Sequence, residues 1–259
     1  MTISMRCLKP LVDMVVTLLL WGYFILAFFF GFAPFYAAAA IRRKEREAAF
    51  QRLNSLFFGG FFRFLAAVTP GVKIQIQDEI RSIRSSVIVC NHLSYLDPIL
   101  LISLFERQKT IVRSDFFDRF IFGGILKRSG YIPSRAEEEY ASLMIQSIEH
   151  IGEYLATGGN LFIFPEGTRS RTGRLGPFSK SAFSIARRCH VPIQCLMIRN
   201  TNRLFVPGRF WFNTCDPVVI EVERIGAFDP EFGGPAFPLA ALVGQVRALY
   251  EKRLSEGQA

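Results

Sequence analysis

Apolar positions run almost unbroken at the start of this chain, recur next with helical spacing, and then collect in short alternating clusters. From Met14 to Ile41 about 28 consecutive residues carry no charge and are mostly apolar. As one helix they would reach about 42 Å, against a bilayer hydrocarbon core of about 30 Å. Gly31 and Pro34 offer a place to break it. Ala38-Ala39-Ala40 fits a signal-peptidase site, but the apolar run is about twice the length of a signal core. Arg6 and Lys9 precede it, and Arg42, Arg43, Lys44 and Arg46 follow as a cytoplasmic flank would. The segment therefore reads as a retained membrane anchor. A tilted span and a re-entrant hairpin both fit it. Phe50, Leu53, Leu56, Phe57, Phe61, Phe64, Leu65 and Val68 then recur on one helical face, which Phe58 and Phe62 widen and Gly59-Gly60 weakens. That helix suits either a place on a protein core or one in the membrane interface.

Pro70-Gly71 punctuates the chain, which divides it into an anchoring helical segment over 1–69 and a catalytic domain over 70–259. Short apolar runs at Val72–Ile76, Val87–Cys90, Thr110–Val112, Leu161–Phe164, Ile193–Ile198 and Val218–Val222 predict strands. Ile99–Phe105, Phe120–Lys127, Glu137–Leu155, Ala182–Arg188 and a closing Phe237–Leu254 predict helices between and after them. Such alternation predicts an α/β fold with a largely parallel central sheet flanked by helices. Sites in such sheets gather at the carboxyl ends of strands.

Half of the 259 residues are hydrophobic, 27 are Phe, and the formal charge is +9. An apolar chain with that excess points to an anionic partner, either lipid headgroups or a substrate phosphate. No nucleic-acid-binding motif accompanies the charge, so nucleic acid is not an expected partner. The five cysteines form no CxxC pair, which argues against a metal site or a disulfide framework and for a reducing compartment.

Two strand ends carry chemistry. After Val87–Cys90 comes Asn91-His92-Leu93-Ser94-Tyr95-Leu96-Asp97-Pro98. A neutral imidazole can take a hydroxyl proton near pH 7, and a carboxylate on its other nitrogen fixes the tautomer and stabilises the imidazolium. A strand-to-helix turn can close the spacing from His92 to Asp97. Ser94-x-x-Asp97 also has the form of a capping box, a structural use of the same acid. After Leu161–Phe164 comes Pro165-Glu166-Gly167-Thr168-Arg169-Ser170, where Arg169 can grip a phosphate through its planar fork. Glu166 can meet hydroxyls or orient the arginine, and Thr168 and Ser170 can donate hydrogen bonds. A plain turn with ordinary surface charges fits this segment too. Arg171, Arg174 and Lys180 extend the positive field. Cys90 reads as a buried strand cysteine rather than an acyl carrier, and the chain has no G-x-S-x-G elbow of a serine hydrolase.

Taken together, these motifs resemble the blocks of the glycerolipid acyltransferases typified by bacterial 1-acyl-sn-glycerol-3-phosphate acyltransferase. Asn91–Asp97 is similar to the first block, Gly130-Tyr131-Ile132-Pro133-Ser134-Arg135 to the second, Phe164–Ser170 to the third and Val191-Pro192-Ile193 to the fourth. The resemblance covers roughly residues 70–222, and the apolar N-terminus resembles the family's membrane-anchoring helices. It implies His92 and Asp97 as the catalytic pair, and Arg135, Glu166, Gly167, Thr168 and Arg169 around the acceptor phosphate. Asn91, Ser94, Pro165, Ser170 and Pro192 would support them. It implies acyl transfer from acyl-CoA or acyl-carrier protein to lysophosphatidic acid by direct attack, with no metal and no further cofactor. The setting would be a bilayer, with the catalytic domain on the cytoplasmic face of the inner membrane. Arg113-Ser114-Asp115-Phe116 departs from the usual Lys-x-Glu-Leu, Ser181 stands for a glycine, and Cys195 stands for the second proline of the fourth block. These departures leave open another lysolipid acceptor, such as lyso-ornithine lipid. A different class, a catalytically idle lipid-binding protein, would have no use for the His92/Asp97 pair.

Overall fold

The computed structural model describes residues 3–42, 44–135, 138–170, 174–229 and 238–256. One long helix opens it: α1 (Ile3–Leu26) passes through a π-helical turn (Ala27–Phe32) into α2 (Ala33–Ile41). Pro34 lacks an N–H for the carbonyl of Phe30 and its ring would crowd that group, so the helix widens there and does not break. The stretch Leu8–Ile41, 34 residues of mean hydropathy 2.2, is long and apolar enough to cross a bilayer. Its outer face leaves Leu11, Leu18, Phe30, Phe35 and Ile41 exposed.

The inner face of α1 is polar at every fourth residue, a spacing that keeps side chains on one side of a helix. Lys9 Nζ pairs with Asp216 at 2.6 Å, and Asp13 Oδ1 accepts from Thr214 N–H and Thr214 Oγ1, both at 2.7 Å, and from Cys215 N–H at 3.2 Å. Thr17 Oγ1 accepts from Phe212 N–H at 2.9 Å, and Trp21 Nε1 donates to the Phe210 carbonyl at 3.4 Å.

α3 (Arg46–Val68) folds back along this helix. Of the two placements its sequence allows, the structure takes the first. Phe61 and Leu65 are fully buried, in the same cluster as Ile88 and Phe162 of the sheet. The uncharged polar residues on that face are buried too, with Asn54 donating to Ser129 Oγ and Tyr131 Oη, and Gln51 donating to the Ser129 carbonyl. A helix lying in lipid would leave those amides unpaired.

Among the described residues the sheet has seven strands: β1 (Val72–Ile76), β2 (Val87–Cys90), β3 (Gln108–Val112), β4 (Ile132–Pro133), β5 (Asn160–Ile163), β6 (Ile193–Arg199) and β7 (Val218–Phe228). Their order is β1-β7-β6-β2-β5-β3-β4, and every pair is parallel except β6 with β7. β2 and β5 are buried along their whole length, which is why they read as continuous apolar runs. Alternation sends Ile88 and Cys90 into the core beneath α3 and α4 (Leu96–Leu104), and Val87 and Val89 into the opposite core. That second core is closed by α7 (Ile151–Ala156), α8 (Ser181–Cys189) and α10 (Leu239–Glu256).

Several boundaries differ from the sequence pattern. β7 runs six residues past the expected Val222, because its second half pairs antiparallel with β6. β4 is too short to show as an apolar run. The helix expected over Glu137–Leu155 divides at His150 into α6 (Glu138–Glu149) and α7, while α5 (Phe122–Arg128) starts two residues late. Glu137, Arg171 and Phe237 lie outside the described residues. α4 starts three residues before Ile99, taking Asp97 and Pro98 into its first turn, where proline's missing N–H is no loss.

Candidate active site

Because β2 and β5 are neighbours, their carboxyl ends deliver the two motifs side by side. The contact is made through backbone. His92 N–H donates to Glu166 Oε1 at 3.1 Å across 74 residues of sequence, and Ser170 N–H donates to the His92 carbonyl at 2.8 Å. Glu166 Oε2 accepts from Gly176 N–H at 2.8 Å. Both carboxylate oxygens of Glu166 thus tie backbone together. Gly167, at φ +69°, makes the turn that presents this segment, and its N–H returns to the Phe164 carbonyl at 3.1 Å. The Pro165 carbonyl accepts from Ser179 N–H at 2.8 Å, while Thr168 is exposed at the tip.

Asp97 is wholly buried. Its Oδ2 accepts from Leu93 N–H at 2.5 Å and Ser94 N–H at 2.7 Å, and faces His92 Nδ1 at 2.9 Å. Its Oδ1 accepts from Thr201 Oγ1 at 2.5 Å. Facing an acceptor-only carboxylate, Nδ1 carries the imidazole proton and Nε2 keeps a lone pair. Phe164 stacks on the His92 ring at 4.2 Å and 21°, which fixes the ring plane. The Asp97 bond to Ser94 N–H is half of a capping box. The other half differs from the standard box: Ser94 Oγ accepts from Leu96 N–H at 3.4 Å and donates to the Phe205 carbonyl at 2.9 Å, while Asp97 N–H goes to the Ser94 carbonyl at 3.3 Å. One carboxylate therefore starts α4 and orients the imidazole.

Asn91 holds the strand end. Its amide donates to the Ile198 carbonyl at 2.9 Å and accepts from Ile198 N–H at 2.8 Å, extending the β2–β6 ladder past Cys90. Burial pushes the Cys90 thiol well up, with the negative charges of Asp97 and Glu166 adding to it, so a thiolate there is disfavoured.

Arg169 lays its guanidinium 3.3 Å above the Tyr95 ring, and its Nη1 is buried with no hydrogen-bond partner among the described residues. Arg135 follows β4 at the same end of the sheet, three strand positions from β2, or about 14 Å at the usual strand spacing. Its N–H donates to Ser114 Oγ at 3.2 Å. Pro192 lies elsewhere. It precedes β6 at the amino end, where its carbonyl accepts from Val87 N–H, about 20 Å of strand from the site. It reaches His92 only along β6 and β2.

Sequence reasoning passed over Thr201, Tyr95 and the stacking role of Phe164. Thr201 opens α9 (Thr201–Leu204) just past β6, and only the strand order places it against Asp97.

Fold and site together define a mostly parallel α/β domain with a half-buried histidine held by a buried aspartate at the carboxyl ends of its central strands. Residues 71–199 match the Acyltransferase family model, and that segment is an acyltransferase domain. It is 34% identical over 122 residues to a chloroplastic 1-acyl-sn-glycerol-3-phosphate acyltransferase of Brassica napus, covering 47% of this chain and 35% of that protein. A chloroplastic enzyme of the same name from Arabidopsis thaliana is 32% identical over 146 residues, covering 55% and 40%. The chain thus spans well under half the length of these two relatives. In fold it is similar to the 1-acyl-sn-glycerophosphate acyltransferase PlsC of Thermotoga maritima, with a TM-score of 0.75, 19% identity, and 97% and 98% of the two chains covered.

Proposed function

We propose that this protein moves a fatty acyl group from acyl-CoA or acyl-carrier protein to lysophosphatidic acid, giving phosphatidic acid. The observation that carries the reading is the His92–Asp97 pair, with Nδ1 committed to the carboxylate and Nε2 left for a substrate hydroxyl. Nε2 takes the hydroxyl proton as the oxygen attacks the thioester carbonyl. The tetrahedral intermediate collapses by breaking the C–S bond, and the imidazolium returns its proton to the leaving thiolate. No acyl-enzyme forms. Asp97 holds the ring and stabilises the imidazolium.

The unpartnered Nη1 of Arg169 supplies a donor for the acceptor phosphate, with Arg135 adding charge from the edge of the sheet. Gly167 and Thr168 line the same turn. Glu166 is spent on backbone N–H groups, which suits holding the turn better than touching substrate. Asn91, Ser94, Pro165 and Ser170 support the site from its two loops.

The apolar outer face of α1 and α2 supports membrane attachment through Leu8–Ile41 within segment 1–69, and the basic residues that follow Ile41 support a catalytic domain on the cytoplasmic face. The polar ladder from Lys9 to Trp21 supports a helix laid along the membrane surface, since a full crossing would pull that stretch off the domain.

The test is thiol release from acyl-CoA and from acyl-carrier protein by protein in detergent, with and without lysophosphatidic acid or lyso-ornithine lipid. Release that needs lysophosphatidic acid, and falls by about a hundredfold or more in His92→Ala, is expected. Undiminished release in His92→Ala overturns the mechanism. A response to lyso-ornithine lipid alone overturns the acceptor.

A further inference from the structure

We infer that Thr201 is a positioning residue for the His92–Asp97 pair, an inference that rests on the function proposed above. Thr201 and Asp97 are both fully buried. Oδ2 of Asp97 is surrounded by two backbone N–H groups and the imidazole, whereas Oδ1 is held by the Thr201 hydroxyl at 2.5 Å. The two backbone donors come from the turn that carries His92 itself, and both hold Oδ2. Thr201 comes from a different element and holds the other oxygen, so it ties the carboxylate to the β6 side of the site.

Its own position is well determined. Asn91 locks the end of β2 to Ile198 on β6, and Asn200, in the left-handed region at φ 66°, turns the chain from β6 into α9. The Asn200 amide donates to the Val219 carbonyl of β7 at 2.8 Å. The hydroxyl is thus delivered by two strands the histidine motif does not contain. The donor bond also spreads the carboxylate charge that faces the imidazole. Without it, that charge bears more fully on Nδ1–H and favours the imidazolium. The other charged or titratable groups facing the pair among the described residues are Glu166 from the β5 turn, Arg169 over Tyr95, and the Cys90 thiol of β2.

The experiment compares Thr201→Val, which keeps shape and loses the hydroxyl, with Thr201→Ser, which keeps the hydroxyl. His92→Ala and Asp97→Asn run beside them in the thiol-release assay, across pH. Thr201→Val is expected to lose roughly tenfold to a hundredfold in kcat, the range of one hydrogen bond to a charged group. KM should stay within about twofold, and the acidic limb of the kcat/KM profile should move to higher pH. Thr201→Ser should recover most of the loss. Wild-type kcat in Thr201→Val overturns the inference. So does a loss that Thr201→Ser does not recover, or one with an unmoved acidic limb, since each marks a purely structural role. A dead wild type, or an active His92→Ala, overturns the underlying mechanism instead.

Discussion

Asn91→Ala removes the clamp that holds the histidine loop to the sheet, and its effect follows from counting groups. Ile198 is fully buried, and its N–H and carbonyl both lose their partner. An unsatisfied buried backbone group costs about 1–3 kcal/mol, which gives about 2–6 kcal/mol for the pair. A cavity of about 190 Å³ adjoins the site, lined in part by Asn91, Ile198 and Asn202. Water can reach the exposed groups from there, so the lower end, about 2–3 kcal/mol, is expected. For a chain of this size each kcal/mol moves Tm by about 2–4 °C, so thermal unfolding in detergent should show a fall of about 4–12 °C. Asn91→Asp keeps the acceptor for Ile198 N–H but sets a carboxylate oxygen against the Ile198 carbonyl, and should be no more stable than alanine. Turnover should fall in both, because His92 is the next residue. A Tm within about 1 °C of wild type in Asn91→Ala would show that the paired bonds carry no weight.

Arg169→Lys keeps the charge but loses the planar fork and the stack on Tyr95, so KM for the acceptor should rise about tenfold with kcat little changed, as read by acceptor titration. Asp13→Ala removes the acceptor of three hydrogen bonds from Thr214 and Cys215, so proteolysis within residues 1–41 should speed up before cleavage elsewhere does. Burial pushes the Glu223 carboxyl up, but the bonds from Arg253 and then Arg199 outweigh it and hold the group below its ordinary 4.5. Its contribution to stability is therefore present above that value and lost as pH falls through the folded one. Glu223→Gln should narrow the gap in Tm between pH 7 and acid, and an unchanged gap would remove Glu223 from the account.

Much of this protein was legible in its sequence, wherever the physics is local. The apolar run before Ile41, the buried strands at Val87–Cys90 and Asn160–Ile163, and the turn at Gly167 each follow from residues that are neighbours in the chain, although the second strand ends one residue before the expected Phe164. The acid five residues past His92 belongs with them, because one turn closes the pair and the same bonds start α4. The limits appear where partners are distant. Tertiary structure alone made β2 the neighbour of both β5 and β6, and so set Glu166 beneath the His92 peptide and Thr201 against Asp97. It also decided that α3 packs on the core, since the amides of Gln51 and Asn54 find partners at Ser129, Tyr131 and Tyr154 of the domain, and that Pro192 lies at the far end of its strand. Local spacing reports which face a side chain takes. Which strand lies beside which is fixed by how the two cores bury their surface, and no window of sequence contains that sum.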